Sequence, residues 1–144
     1  MIISSRGRYA IGMMCDLAVH PGECCSLTDI ARRQCISRKY LEQIVPCLSR
    51  AGFVIAARGT QGGYRLAKAP EEYDLAEILK VTEGSLCPVG CMEEGGEPCP
   101  HYGTCATVPV WEGLSRVIND YLSGITLKNV AELEKARSEK APEE

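Results

Sequence analysis

Residues Ser26–Gly52 read SLTDIARRQCISRKYLEQIVPCLSRAG, and their spacing decides the fold. Ser26 followed three residues later by Asp29 is a side-chain N-cap with a supporting carboxylate. It opens a short helix, Leu27 to Arg33, that turns Leu27, Ile30 and Ala31 inward. After Gln34-Cys35-Ile36, Ser37 caps a second helix whose Tyr40, Leu41, Ile44, Val45 and Leu48 recur at helical spacing up to a stop at Gly52. A short helix, a tight turn and a longer helix make the helix-turn-helix arrangement. Pro46 falls inside the second helix and is predicted to kink or interrupt it, because proline lacks the N–H and its ring crowds the preceding turn.

On the C-terminal side, Phe53 to Ala57 is apolar and β-prone, and Tyr64-Arg65-Leu66-Ala67 can pair back onto it. The linker Arg58-Gly59-Thr60-Gln61-Gly62-Gly63 is turn chemistry. A hairpin directly after two such helices is the wing of a winged helix. On the N-terminal side, Arg8 to about His20 reads as a helix with Ala10, Met13, Met14, Leu17 and Ala18 inward, ended by Pro21-Gly22. Asp74 caps a further helix to about Glu83, stopped by Gly84, with Leu75, Ile78, Leu79 and Thr82 packing back.

The 144 residues suit one main domain. The net charge of −3 conceals an asymmetry: residues 1–69 hold ten Lys/Arg against four Asp/Glu, and residues 70–144 hold six against fifteen. A basic half beside an acidic half points to a polyanionic partner for the first alone. No signal peptide and no membrane-length apolar run are apparent, so the expected location is cytoplasmic, with reduced thiols. Nothing indicates an enzyme: there is no phosphate loop, no nucleophile with a paired base, and only two histidines.

Nine cysteines therefore need an account other than disulfides. Four of them fall within the nineteen residues Cys87–Cys105, CPVGCMEEGGEPCPHYGTC, with His101, three prolines and four glycines. Such a stretch cannot form a regular helix or strand, and thiolates on flexible backbone suit a metal whose bonds supply order. Zinc is the weaker candidate, since zinc sites use short Cys-x₂₋₄-Cys pairs and only Cys87-x₃-Cys91 conforms. Cys15, Cys35 and Cys47 fall in helical patterns and read as small apolar residues, while Cys24-Cys25 could bridge only with strain. His20, beside Pro21, reads as a helix-end residue.

After the loop, Val110 to about Ser123 is helical, and Trp111, Leu114, Ile118, Tyr121 and Ile125 mark a seam for a second helix. A two-fold DNA site calls for two reading heads, so a homodimer is expected. The organisation is then mainly α with a small β-hairpin wing: 1–84 a winged helix-turn-helix DNA-binding domain, 85–106 a cysteine-rich loop, 107–131 a dimerisation helix, and 132–144 a flexible charged tail.

Together, Ser4-Ser-Arg-Gly-Arg-Tyr9, Ile36-Ser-Arg-Lys-Tyr-Leu-Glu-Gln43, Ala51-Gly-Phe-Val54, Arg58-Gly-Thr-Gln-Gly-Gly-Tyr64, Trp111 and Ile125-Thr-Leu127 resemble the Rrf-type regulators over about residues 2–131. That family includes the iron–sulfur regulator IscR, the nitric-oxide sensor NsrR, the iron regulator RirA and the cysteine regulator CymR. The resemblance implies a homodimeric winged-helix transcription factor with an iron–sulfur cluster in the loop, repressing iron–sulfur biogenesis, iron or redox-stress genes. Its cluster cysteines carry over onto Cys91, Cys99 and Cys105, a trio that CymR-like members lack. The IscR-type histidine position is Val108 here, and the NsrR-type carboxylate position is Arg8. His101 or Cys87 is left as fourth ligand, with a partner-subunit group or an exchangeable small ligand as alternatives. The IscR-like reading motifs favour [2Fe–2S] over [4Fe–4S], although the x7/x5 cysteine spacing matches the RirA and NsrR branch.

Double-stranded DNA is the expected partner. Ser37, Arg38, Lys39, Tyr40, Glu42 and Gln43 form the reading set: Arg38 and Lys39 suit phosphates or guanine edges, Gln43 suits adenine, and core packing is the alternative for Tyr40. Glu42 either accepts from a cytosine amine or discriminates between sites, as the matching glutamate does in IscR-like relatives. Ser5, Arg6 and Arg8, and on the wing Arg58, Gly59, Gly62, Gly63 and Arg65, add backbone affinity. Two other functions compete: a cluster-free CymR-like regulator of sulfur metabolism, and an iron–sulfur electron or cluster carrier.

Overall fold

Five side-chain caps fix where the helices begin. Ser4, Ser26, Ser37, Asp74 and Thr126 each accept a hydrogen bond from the backbone N–H three residues on, at 3.3, 3.1, 3.1, 2.8 and 3.2 Å. The computed structural model describes residues 3–140. The capped helices are α1 (Ser5–Val19), α2 (Leu27–Gln34), α3 (Arg38–Arg50), α4 (Leu75–Glu83) and α6 (Leu127–Ser138); α5 (Val108–Ser123) begins instead with a proline in its first turn. The hairpin pairs β1 (Val54–Ala57) with β2 (Gly63–Leu66), antiparallel, with Val54 opposite Leu66 and Ala57 opposite Gly63.

α1 is the central element and packs against α2, α3, α4 and α6. Its Ala10, Met13, Met14, Leu17 and Ala18 are buried, as the periodicity predicts. Each large apolar side chain removed from water here contributes about 1.5–3 kcal/mol. α3 lays Leu41, Ile44, Val45 and Leu48 onto the same core, and α4 adds Leu75 and Ile78, while its Ala76 and Leu79 form a second small cluster with Leu86. Cys25 exchanges both backbone hydrogen bonds with Tyr64, at 2.9 and 2.8 Å, so the wing is tied to the segment entering α2. Only glycine fits at Gly63, where a Cβ would collide with the Cys25 carbonyl.

Four expectations are corrected. α3 is not interrupted at Pro46: that residue and Glu42 are both exposed, so the carbonyl that loses its donor can turn to water. The first helix starts at Ser5 rather than Arg8, because Ser4 is its cap. The segment 107–131 is not one helix, since α5 ends at Ser123 and α6 opens at Leu127. The charged stretch from Glu132 is helical as far as Ser138 rather than a free tail. Leu127 and Ala131 are buried against α1, Val130 packs beside them, and Gln34 donates to the Glu134 carboxylate. One apolar stripe suffices to dock a helix whose other faces are charged. Residues 141–144 of the expected tail lie outside the described residues.

Candidate nucleic-acid interface and cysteine loop

The first turn of α3 exposes Ser37, Arg38, Lys39, Glu42 and Gln43. The Ser37 hydroxyl accepts from the Tyr40 N–H, which leaves its proton free to donate outward. Arg38 is held from two sides: its Nε lies 3.3 Å from the Glu42 carboxylate, and it donates to Thr28 Oγ1 at 3.1 Å. Tyr40 is half-buried, its ring edge-on to Tyr9 with centroids 5.1 Å apart. The Arg8 guanidinium lies 5.8 Å from the Tyr9 ring and donates to Ser5 Oγ at 3.1 Å, so the start of α1 sits beside the first turn of α3. Arg6 and Arg8 are exposed. On the wing Arg58, Gly59 and Arg65 are exposed, Gly62 and Gly63 are half-buried, and Gly62 N–H closes the tip onto the Gly59 carbonyl at 3.0 Å.

Cys35 departs from its helical expectation. It ends α2 in the left-handed region, at φ 53°, and is exposed within the turn to α3.

The order of the cysteine loop comes from its two ends. Leu86 is buried against Ala76 and Leu79 of α4. Cys87 is half-buried and its thiol donates to the Met92 carbonyl at 3.4 Å, across the single 3-10 turn Gly90–Met92. Tyr102 donates to Glu112 of α5 at 2.9 Å, a bond that pushes the phenol up. Cys105 lies 3.1 Å from the Thr107 hydroxyl, just ahead of α5, and that contact followed by backbone N–H groups holds its thiol below the usual range. Cys91 is exposed, Cys99 and Cys105 half-buried, and His101 exposed. A cleft of about 490 Å³ separates the loop from α4 and α5, bordered by Lys80, Cys87, Met92, Glu112 and Arg116.

The donor chemistry fits an iron–sulfur cluster, which takes thiolates, and one of these thiols is already biased toward the thiolate. Among the described residues, the one set of three metal-ligand atoms within 4.8 Å of one another lies elsewhere, at Asp16, His20 and Cys25. That set is already engaged. Buried Asp16 accepts both guanidinium arms of Arg33, at 2.9 and 2.7 Å, its backbone carbonyl takes His20 Nδ1 at 2.8 Å, and burial pushes the Cys25 thiol up. A cation there would have to expel the guanidinium, so these residues form a structural ion pair. Nothing in the sequence periodicity announces it.

On α5 the exposed apolar residues are Val110, Leu114, Val117 and Tyr121, with Trp111 and Ile118 half-buried beside them. Val110 and Val117 are additions to the sequence reading. Ile125 does not continue this face: it follows the helix end, packs on the core, and its carbonyl accepts from Leu75 N–H at 3.0 Å. No described helix is long and apolar enough to cross a membrane.

The profile of the Rrf2 family, described as an iron-dependent transcriptional regulator, matches residues 3–133. The chain belongs to the Rrf2 family. It is a transcriptional regulator of the Rrf2/IscR type, in a family that binds DNA and is not enzymatic. It is 39% identical over 128 residues to the HTH-type transcriptional regulator IscR of Aliivibrio salmonicida, covering 88% of this chain and 75% of that one. Among solved structures it is similar to T. potens IscR, with a TM-score of 0.75 and 34% identity over 100% of this chain and 94% of that chain. It is also similar to CymR, the global cysteine regulator of B. subtilis, with a TM-score of 0.70 and 32% identity over 92% of this chain and 98% of that one. This Rrf2 chain therefore has both an IscR and the cysteine regulator CymR among its structural neighbours.

Proposed function

We propose that this Rrf2 regulator is a cytoplasmic homodimer whose grip on two-fold promoter DNA is set by an iron–sulfur cluster held by Cys91, Cys99 and Cys105, with [2Fe–2S] favoured. It represses iron–sulfur biogenesis, iron or redox-stress genes. The observation that carries this reading is the loop's placement: a thiol-rich segment anchored to α4 at Leu86 and to α5 at Tyr102 and Cys105. Those two helices lead respectively to the reading domain and to the apolar face of α5 left exposed among the described residues, which is the proposed dimer contact.

When bound, such a cluster supplies iron–thiolate bonds that are sensitive to oxidant and iron supply. The chain's own residues do the rest. Lys39 and Arg38 meet phosphates or guanine edges, Gln43 pairs with adenine, and Glu42 accepts from a cytosine amine while repelling misplaced phosphate. Arg6, Arg8, Arg58 and Arg65 add sequence-independent affinity. Ordering of the loop beside the packed α4 and α5 changes the relative placement or the charge of the two reading heads.

Anaerobic reconstitution followed by duplex retardation tests this. The expected result is an iron- and sulfide-containing coloured protein whose promoter affinity changes on loading, with no change in a Cys91→Ala, Cys99→Ala, Cys105→Ala triple variant. Protein that stays colourless and iron-free sinks the cluster reading. The CymR likeness then favours the second reading, a cluster-free regulator of sulfur metabolism.

A further inference from the structure

The Cys91, Cys99 and Cys105 trio leaves a coordination position unassigned. Two side chains of the loop compete for it, and their settings differ. His101 is exposed on a turn between Cys99 and Cys105, where its backbone carbonyl accepts from Thr104 N–H at 3.0 Å. Cys87 is half-buried, and its sulfur is folded across the Gly90–Met92 turn that carries Cys91, 3.4 Å from the Met92 carbonyl. Its backbone is fixed from the α4 side: Leu86 is buried on α4, and Cys87 N–H donates to Ser85 Oγ at 3.1 Å. A donor whose backbone is already ordered loses less entropy on ligation than one on an exposed turn. The carbonyl that the sulfur contacts belongs to the residue after Cys91, so Cys87 is folded against the turn that carries that cysteine.

We infer that Cys87, rather than His101, is the fourth protein ligand of the loop's cluster, which makes the set all-thiolate. This rests on the reading of the loop as a cluster site. With a cluster bound, Cys87 would hold iron as a thiolate, its thiol proton having passed to solvent. Cys87 is also the ligand nearest the reading domain in the chain. It lies four residues after Glu83, whose carboxylate binds Ser4 at the cap of α1. Cys91, Cys99 and Cys105 have no such short route.

Full-length wild type and the variants Cys87→Ala, Cys87→Ser, His101→Ala and Cys91→Ala are reconstituted without oxygen and compared. Iron and sulfide content, absorbance and Mössbauer spectra, and the rate of iron loss to a chelator are measured. The assignment predicts that Cys87→Ala keeps a cluster with altered spectra and loses iron about tenfold faster or more. Cys87→Ser, which retains an oxygen donor, falls between it and wild type, His101→Ala matches wild type, and Cys91→Ala is heavily depleted. Cys87→Ala indistinguishable from wild type overturns the assignment, as does His101→Ala reproducing the spectral change. Wild type that binds no iron overturns the parent reading and the assignment together, whereas loaded wild type with an unaffected Cys87→Ala overturns the assignment alone.

Discussion

The Glu83 carboxylate accepts two hydrogen bonds from Ser4, from the backbone N–H at 3.0 Å and from the hydroxyl at 2.7 Å. The same hydroxyl caps α1 at Gly7, where any larger residue would collide with Glu83. The last turn of α4 therefore fixes the first turn of α1, which displays Arg6 and Arg8. Glu83→Ala is expected to cost about 1–3 kcal/mol in urea unfolding. It should also weaken binding to all duplexes alike, specific and random, because the affected contacts go to the backbone. A change of base preference in Glu83→Ala would show that α1 reads sequence.

Asp16 is 1% exposed and its charge is balanced by Arg33 from the next helix. Arg33→Met strands a buried carboxylate and should cost about 3 kcal/mol, whereas Asp16→Leu with Arg33→Met should recover most of that loss. Equal loss in the single and double variants, measured by denaturant melts, would mean the pair contributes through packing only.

In the cluster-free protein the lowered Cys105 thiol gives a larger thiolate fraction at neutral pH, so its alkylation should begin at lower pH than that of an ordinary exposed cysteine. Thr107→Val removes the first cause of that shift and should move the onset to higher pH. Cys15, pushed up to about 12 by burial and then by Glu134, should not react until the fold opens. Mass-resolved labelling across a pH series reads all three.

Lys39 and Glu42 should separate by salt. Lys39→Ala is expected to weaken binding on every duplex and lower the salt slope by about one. Glu42→Gln should instead raise affinity for random DNA and relax preference at one base position by about 1–3 kcal/mol. A Glu42→Gln variant with unaltered preference would leave Arg38, which it pairs with at 3.3 Å, as the sole reader there.

How far the chain was legible follows from how local each cause is. Ser26, Ser37 and Asp74 cap helices at the positions their spacing predicts, since a cap and its N–H lie three residues apart. The hairpin itself follows from a glycine-rich turn between two β-prone runs. The interruption expected at Pro46 is absent because the penalty for a missing N–H depends on whether the orphan carbonyl faces water, which is a tertiary fact. α6 was misjudged for a similar reason: Leu127, Val130 and Ala131 are too few to stand out until α1 is there to cover them. The Asp16–Arg33 pair joins side chains 17 residues apart on different helices, beyond any periodicity. The four loop thiols were legible as a set, but the fold of Cys87 over the turn carrying Cys91 was not.

Tyr73 is wholly buried, and its phenol donates to the Phe53 carbonyl at 2.8 Å while accepting from Lys68 N–H at 2.9 Å. Its own carbonyl receives Leu127 N–H at 2.9 Å. A single residue, through its phenol and its backbone carbonyl, thus rivets both roots of the hairpin to the residue that starts the last helix. The tip of the wing is free to follow a groove, but its base cannot loosen without releasing the C-terminal helix. Amide protons of Lys68 and Leu127 should then exchange with deuterium as one cooperative unit, and whatever shakes the end of the chain will be felt at the hairpin.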